Sequence, residues 1–117
     1  MNKIFHLSTC DTCNRIIDEL GLKGKKFIFQ DIKTEKITKL QLEELKEKAG
    51  SYEALFSKIA RKYRELKLNE KQLTETEMKN LILEEYTFLK RPVIVVNKEI
   101  FIGNSKSVVE AAKKAIR

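Results

Sequence analysis

Apolar positions along this chain recur with two different periods. Ile4, Phe5 and Leu7 form a short apolar run that stops at Ser8-Thr9, and Ile16, Ile17 and Leu20 then recur at helical spacing up to Gly21. This pattern predicts a strand, a tight loop and an amphipathic helix closed by a glycine. Lys26-Phe27-Ile28-Phe29-Gln30 reads as a second strand. It completes a βαβ unit whose strands should run parallel with a right-handed crossover.

The middle of the chain changes to helical periodicity. Thr38 is placed as an N-cap before a helix that carries Leu42, Leu45 and Ala49 on one face, and Gly50-Ser51 breaks it. Tyr52, Leu55, Phe56, Ile59 and Tyr63 then stand at i, i+3, i+4, i+7 and i+11, which predicts a second amphipathic helix open to a kink. Thr74-Glu75-Thr76-Glu77 fits a capping box and opens a third helix with Met78, Leu81, Ile82 and Tyr86 inward.

The last third returns to strands. Val93-Ile94-Val95-Val96 is a β-branched run that suits a buried strand. Asn97-Lys98 reads as a two-residue turn and Glu99-Ile100-Phe101-Ile102 as the returning strand of a hairpin. Gly103-Asn104-Ser105 ends it, and a final helix should bury Val108, Val109, Ala112, Ala115 and Ile116. The order is therefore βαβ (1–33), an all-helical insertion (38–87) and ββα (91–117). This predicts a single α/β domain over 1–117, with a four-stranded mixed sheet of thioredoxin-like fold. The cysteine-bearing loop after the first strand would sit at the strand's C-terminal edge, where α/β sheets place ligands.

Composition narrows the classes without choosing among them. The 117 residues are 42% hydrophobic and 35% charged with a single proline, which suits one compact, well-solvated domain. The chain has two cysteines three positions apart, so a disulfide scaffold is excluded and a reducing cytoplasm favoured. No apolar run approaches the roughly 20 residues that span a bilayer. The start, Met1-Asn2-Lys3-Ile4-Phe5-His6, lacks a signal peptide's apolar segment, so a cytoplasmic location is expected. The net charge of +7 suits an acidic partner as well as plain solubility. Most lysines alternate with glutamates, as in Glu43-Glu44-Leu45-Lys46-Glu47-Lys48, so direct nucleic-acid binding is not expected.

The chemistry concentrates in Cys10-Asp11-Thr12-Cys13. Cys10 falls at the helix N-terminus, where unpaired N–H groups and the helix dipole stabilise a thiolate, and Cys13 lies one turn inside. A Cys-x-x-Cys pair in a βαβ context reads as a redox motif, with Cys10 as nucleophile and Cys13 able to resolve a mixed disulfide. A pair of small buried side chains and half of a metal site are the other two readings. Zinc would need ligands beyond two cysteines and the single histidine, so no metal is expected. His6 either tunes the thiol loop or is a packed strand residue. Pro92, the only proline, is positioned to take a cis bond beside the cysteine loop. Arg91 then offers a forked donor to an anion or thiolate, unless it is simply solvated.

With these pieces in place, the sequence resembles the arsenate reductase-like (ArsC/Spx) branch of the thioredoxin superfamily. The resemblance rests on Ile4-Phe5-His6-x3-Cys10, on Phe56-x6-Tyr63-Arg64-Glu65-Leu66, and on Lys90-Arg91-Pro92-Val93-Ile94-Val95 followed by Phe101-Ile102-Gly103. It implies a thiol-dependent oxidoreductase. Cys10 would be the nucleophile, His6 a residue that tunes it and Arg91 the arginine before the cis-proline. No bound cofactor is implied. The co-substrate would be glutathione or another thiol reductant, with glutaredoxin or thioredoxin as partner and a small oxyanion or a disulfide as substrate.

The pattern also departs from true arsenate reductases. Of the three arginines that grip the oxyanion there, only Arg91 is matched. The second falls at Ile59, with Arg61 displaced from it, and the third is Asn104. A multiply charged oxyanion needs several preorganised donors, so the resemblance favours thiol chemistry over arsenate itself. Cys13 matches instead the Spx-type regulators, in which Cys-x-x-Cys is a redox switch and the partner is the RNA polymerase α subunit.

Overall fold

The computed structural model describes residues 2–116, which divide into two compact units. The first runs from the N-terminus through Glu35 and resumes at Arg91; the second is Lys36–Lys90.

The first unit is an open sheet with two long helices. β1 (Asn2–His6) leads to α1 (Asp11–Leu20) and β2 (Ile28–Asp31). After the second unit follow β3 (Val93–Val96), β4 (Glu99–Ile102) and α5 (Lys106–Ile116). The sheet order is β2-β1-β3-β4, with β1 and β2 parallel and the other pairs antiparallel. This is the mixed thioredoxin-like sheet that the βαβ and ββα halves predict.

β3 is central and buried at all four positions, which explains its unbroken β-branched run. Ile4, Ile16, Ile17, Leu20, Ile94 and Val109 form one buried core against which Phe27, Phe101 and Ile116 pack. Gly21 closes α1 at φ 64, the left-handed conformation in which a Cβ is strained. Asn97 takes the same region (φ 56) in the hairpin turn predicted at Asn97-Lys98. β2 begins two residues later than the sequence pattern suggests. The Phe27 N–H bonds the Lys25 carbonyl at 2.8 Å, so the chain is still turning there.

The second unit is helical. α2 (Lys39–Ala49) opens with a capping box: Thr38 Oγ1 accepts from the Gln41 N–H at 3.1 Å, and Gln41 Oε1 accepts from the Thr38 N–H at 3.0 Å. α4 (Glu75–Glu84) repeats this with Thr74 and Glu77, as the sequence signature predicts. The Glu75 carboxylate accepts from the Tyr52 and Glu53 N–H groups at 2.6 and 3.1 Å, tying α4 to the chain after α2. Lys79 adds an ion pair to Glu43 at 2.7 Å. Tyr86, predicted inside α4, lies in a 3-10 turn beyond its end.

One predicted helix does not form. The periodic stretch from Tyr52 to Tyr63 is a 3-10 turn at Glu53–Leu55, an extended Phe56, bends, and a short α3 (Arg61–Glu65). Its backbone bonds across the unit instead of along a helix. The Ser57 N–H donates to the Phe88 carbonyl at 2.7 Å, the Lys90 N–H donates to the Leu55 carbonyl at 2.9 Å, and Phe56 pairs with Leu89 in an isolated antiparallel bridge. Phe56 stacks on Phe88 with ring centroids 5.2 Å apart, so the aromatic core is kept. Ile59, placed inward by the pattern, is 89% exposed.

Candidate active site

The end of β1 and the start of α1 build the site. The chain leaves β1 at His6 and turns through Leu7–Cys10, with the Cys10 N–H donating to the Leu7 carbonyl at 2.9 Å. Cys10 is the N-cap of α1, extended at φ −92 and ψ 113, and half-buried; Cys13 is fully buried at 0% exposure. The two cysteines are thus held one helical turn apart at the C-terminal end of β1.

Their acidities are pushed in opposite directions. Burial alone would raise the Cys10 thiol. The Cys13 N–H, the Cys13 thiol, the Thr12 N–H and the Arg91 guanidinium outweigh it, and Cys10 lies below the ordinary cysteine value. Cys13 is pushed up to about 11, first by burial and then by its hydrogen bond to Cys10 and the negative charge there. The Leu7 backbone and Arg91 oppose that rise without cancelling it. Cys10 makes no side-chain cap bond to α1. The dipole and unpaired N–H groups of that helix end still favour negative charge on its sulfur.

Arg91 arrives by way of the sheet. Val93 pairs with Phe5, which brings Arg91-Pro92 to the end of β1 that carries the cysteine turn, and their peptide bond is cis. Its guanidinium field acts on both sulfurs. The Gly103 N–H donates back to the Pro92 carbonyl at 2.9 Å, and Gly103 adopts φ 92. Asn104, exposed, comes next in the chain.

His6 is paired in register with Asp31 on β2 and meets the Phe29 ring edge-on at 5.8 Å. Burial lowers its pKa, opposed by the Asp31 charge, so the imidazole is neutral at pH 7. Its Nδ1 is buried with no hydrogen-bond partner among the described residues. Arg61 is exposed and begins α3 in the second unit. The geometry of the first unit thus gathers Cys10, Cys13, Arg91 and Pro92 at one sheet end, with His6 and Asp31 alongside on β1 and β2.

Sequence reading did not single out Ser8, Asn14 or Asp31. The Ser8 hydroxyl donates to Asp31 Oδ2, and Asn14 Nδ2 donates to the Ser8 carbonyl at 3.0 Å. Only the sheet register, which puts the end of β2 beside the cysteine turn, reveals them. Among the described residues no three His, Cys, Asp or Glu side chains gather to hold a metal ion. No helix among them is long and apolar enough to cross a membrane.

No curated protein sequence matches this chain. Solved structures do. An arsenate reductase from Vibrio cholerae superposes with a TM-score of 0.78 at 20% identity, over 93% of this chain and 95% of that one. SACOL0876 from Staphylococcus aureus COL does so with a TM-score of 0.76 at 25% identity, over 95% and 97%. An arsenate reductase (ArsC) related protein from Brucella melitensis gives 0.69 at 21% identity, over 94% and 92%. The family model of ArsC matches residues 5–112, a span that takes in the cysteine turn, the helical unit and the Arg91-Pro92 strand. The chain belongs to the ArsC family, a thiol-dependent oxidoreductase-like family of thioredoxin-like fold.

Proposed function

We propose that the protein is a thiol–disulfide oxidoreductase in which Cys10 attacks and Cys13 resolves. The observation that carries this is the placement of Cys10 as the N-cap of α1 with Cys13 buried one helical turn inside it. The Cys10 thiol lies below the ordinary cysteine value and Cys13 is pushed up to about 11. The Cys10 thiolate attacks one sulfur of a disulfide R–S–S–R′. A Cys10–S–R bond forms, and R′S⁻ leaves and takes up a proton.

Cys13 must then ionise. Once Cys10 is part of a neutral mixed disulfide it no longer holds Cys13 protonated by its charge, and Arg91 still favours the anion. Cys13 loses its proton to solvent and attacks Cys10 Sγ, expelling RS⁻, which is protonated in turn. The substrate is reduced to two thiols and the enzyme is left with a Cys10–Cys13 disulfide, which an external thiol such as glutathione, or a glutaredoxin or thioredoxin, returns to the reduced state.

Within the first unit Arg91 is the cation that acts on the reacting sulfur, and Asn104 brings no charge. A substrate with at most a single negative charge near its reacting sulfur fits this better than arsenate, which spreads more charge than one guanidinium balances. Consumption of a coupled thiol reductant on adding a mixed disulfide, lost in Cys10→Ser, is the expected result. Unchanged turnover in that variant would rule the mechanism out.

The same pair closing without turnover describes a redox switch of the Spx type. That second reading is supported by the placement of the two cysteines within one turn of α1. Capture of RNA polymerase α subunit in one redox state and not the other, without reductase turnover, would favour it.

A further inference from the structure

The turn that delivers Cys10 to α1 has exposed Ser8 and Thr9 at its tip, just past the buried Leu7. Polar bonds hold that tip. The Ser8 hydroxyl donates to the Asp31 carboxylate, which also draws on the Ser8 backbone. Asn14, on α1, donates its side-chain amide to the Ser8 carbonyl at 3.0 Å. Asp31 is itself anchored: its Oδ1 accepts from the Lys33 N–H at 3.1 Å, and its backbone is in parallel register with His6. The helix N–H groups of Thr12 and Cys13 stabilise the Cys10 thiolate only while its sulfur stays at the head of α1.

We propose that Asp31 and Ser8 are positioning residues for Cys10, forming a latch that pins the cysteine turn to the end of β2 and so keeps the sulfur at the head of α1. The proposal concerns the thiol and not its substrate, so it stands or falls separately from the disulfide reading.

A latch and a plain charge effect have opposite signs. A carboxylate acting through space repels a thiolate, so removing it would lower the Cys10 pKa. Removing a latch releases the sulfur from its donors and raises it.

The test is an ultraviolet thiolate titration of the full, reduced chain carrying Ser8→Ala, Asp31→Ala, both together, or Ser8→Thr. Each alanine variant is expected to raise the Cys10 pKa by roughly half a unit or more toward the ordinary cysteine value. The double variant should match Asp31→Ala, because that single substitution already removes both bonds from the carboxylate to Ser8. Ser8→Thr, which keeps the hydroxyl, should titrate as the parent does. A Cys10 pKa unmoved by Ser8→Ala, a fall in Asp31→Ala, or additive shifts in the double variant would each overturn the latch. Ser8 is exposed, so its two variants decide the question even where Asp31→Ala fails to fold.

Discussion

Cys10 caps α1 and Cys13 lies buried one helical turn inside it, and their acidities are shifted in opposite directions. Hydrogen bonding from the Cys13 thiol favours charge on Cys10, and that charge penalises a second one on Cys13. In the proposed reaction this difference would put attack before resolution.

Replacing Cys13 separates the donor from the rest of the site. In Cys13→Ala the hydrogen bond is gone while the α1 N–H groups and Arg91 remain, so the Cys10 pKa should rise by about one unit. Cys13→Ser keeps a hydroxyl donor and should show a smaller rise. The rate of Cys10 alkylation against pH reads both. A Cys10 pKa identical in parent and Cys13→Ala would show that the helix and Arg91 suffice alone. Cys13→Ser should also accumulate the Cys10 mixed disulfide, visible by mass.

Arg91 acts on both sulfurs from the loop before β3. Arg91→Ala should raise the Cys10 pKa by less than about one unit, since the guanidinium is the last of the groups that lower it. Its larger effect should fall on substrate choice. With a disulfide carrying one carboxylate near the reacting sulfur, kcat/KM should drop about tenfold, on the order of one charge-assisted contact. With a neutral disulfide it should fall only as far as the thiol pKa requires. Equal losses for both substrates would show that Arg91 does not meet the substrate.

What could be read in the sequence follows from how local each feature is. The Thr74 and Glu77 capping box, the Asn97-Lys98 turn and the buried Val93–Val96 strand depend on neighbours a few residues away, and each stands where its pattern puts it. Cys10 and Cys13 share one turn of helix, so their placement at the head of α1 was equally legible. Phe56 was not, because its partner Leu89 lies far along the chain and the bridge overrides the local helical period. Asp31 stayed invisible for the same reason: its partner Ser8 is reached only through the β1–β2 register.

Acid should destabilise the protein in two steps. The folded pKa of His6 is lowered by burial, so the unfolded chain binds that proton more readily, and stability falls as pH drops below about 6.5. Asp31 is lowered chiefly by the Ser8 hydroxyl bond; its contribution is complete above about pH 4 and is lost as pH falls through the folded value. His6→Phe should remove the first step and leave the second. In Asp31→Asn the second should vanish and the first deepen, because the Asp31 charge no longer favours the imidazolium. Tm measured against pH checks this. A Tm constant between about pH 7 and pH 5 in the parent would refute the His6 assignment.

The departure of residues 52–63 from a helix makes a sharp prediction about two of its apolar side chains. The helical pattern gives Phe56 and Ile59 the same inward role; the fold gives them opposite ones. Phe56 is buried, stacked on Phe88 and edge-on to Tyr63 at 6.0 Å, so Phe56→Ala should cost about 3–5 kcal/mol in chemical denaturation. Ile59 is largely in solvent, so Ile59→Ala should change stability by no more than about 0.5 kcal/mol. A single continuous helix would make both substitutions costly. A loss of several kcal/mol in Ile59→Ala would therefore overturn the bridged arrangement of Phe56 and Leu89 and restore the helix.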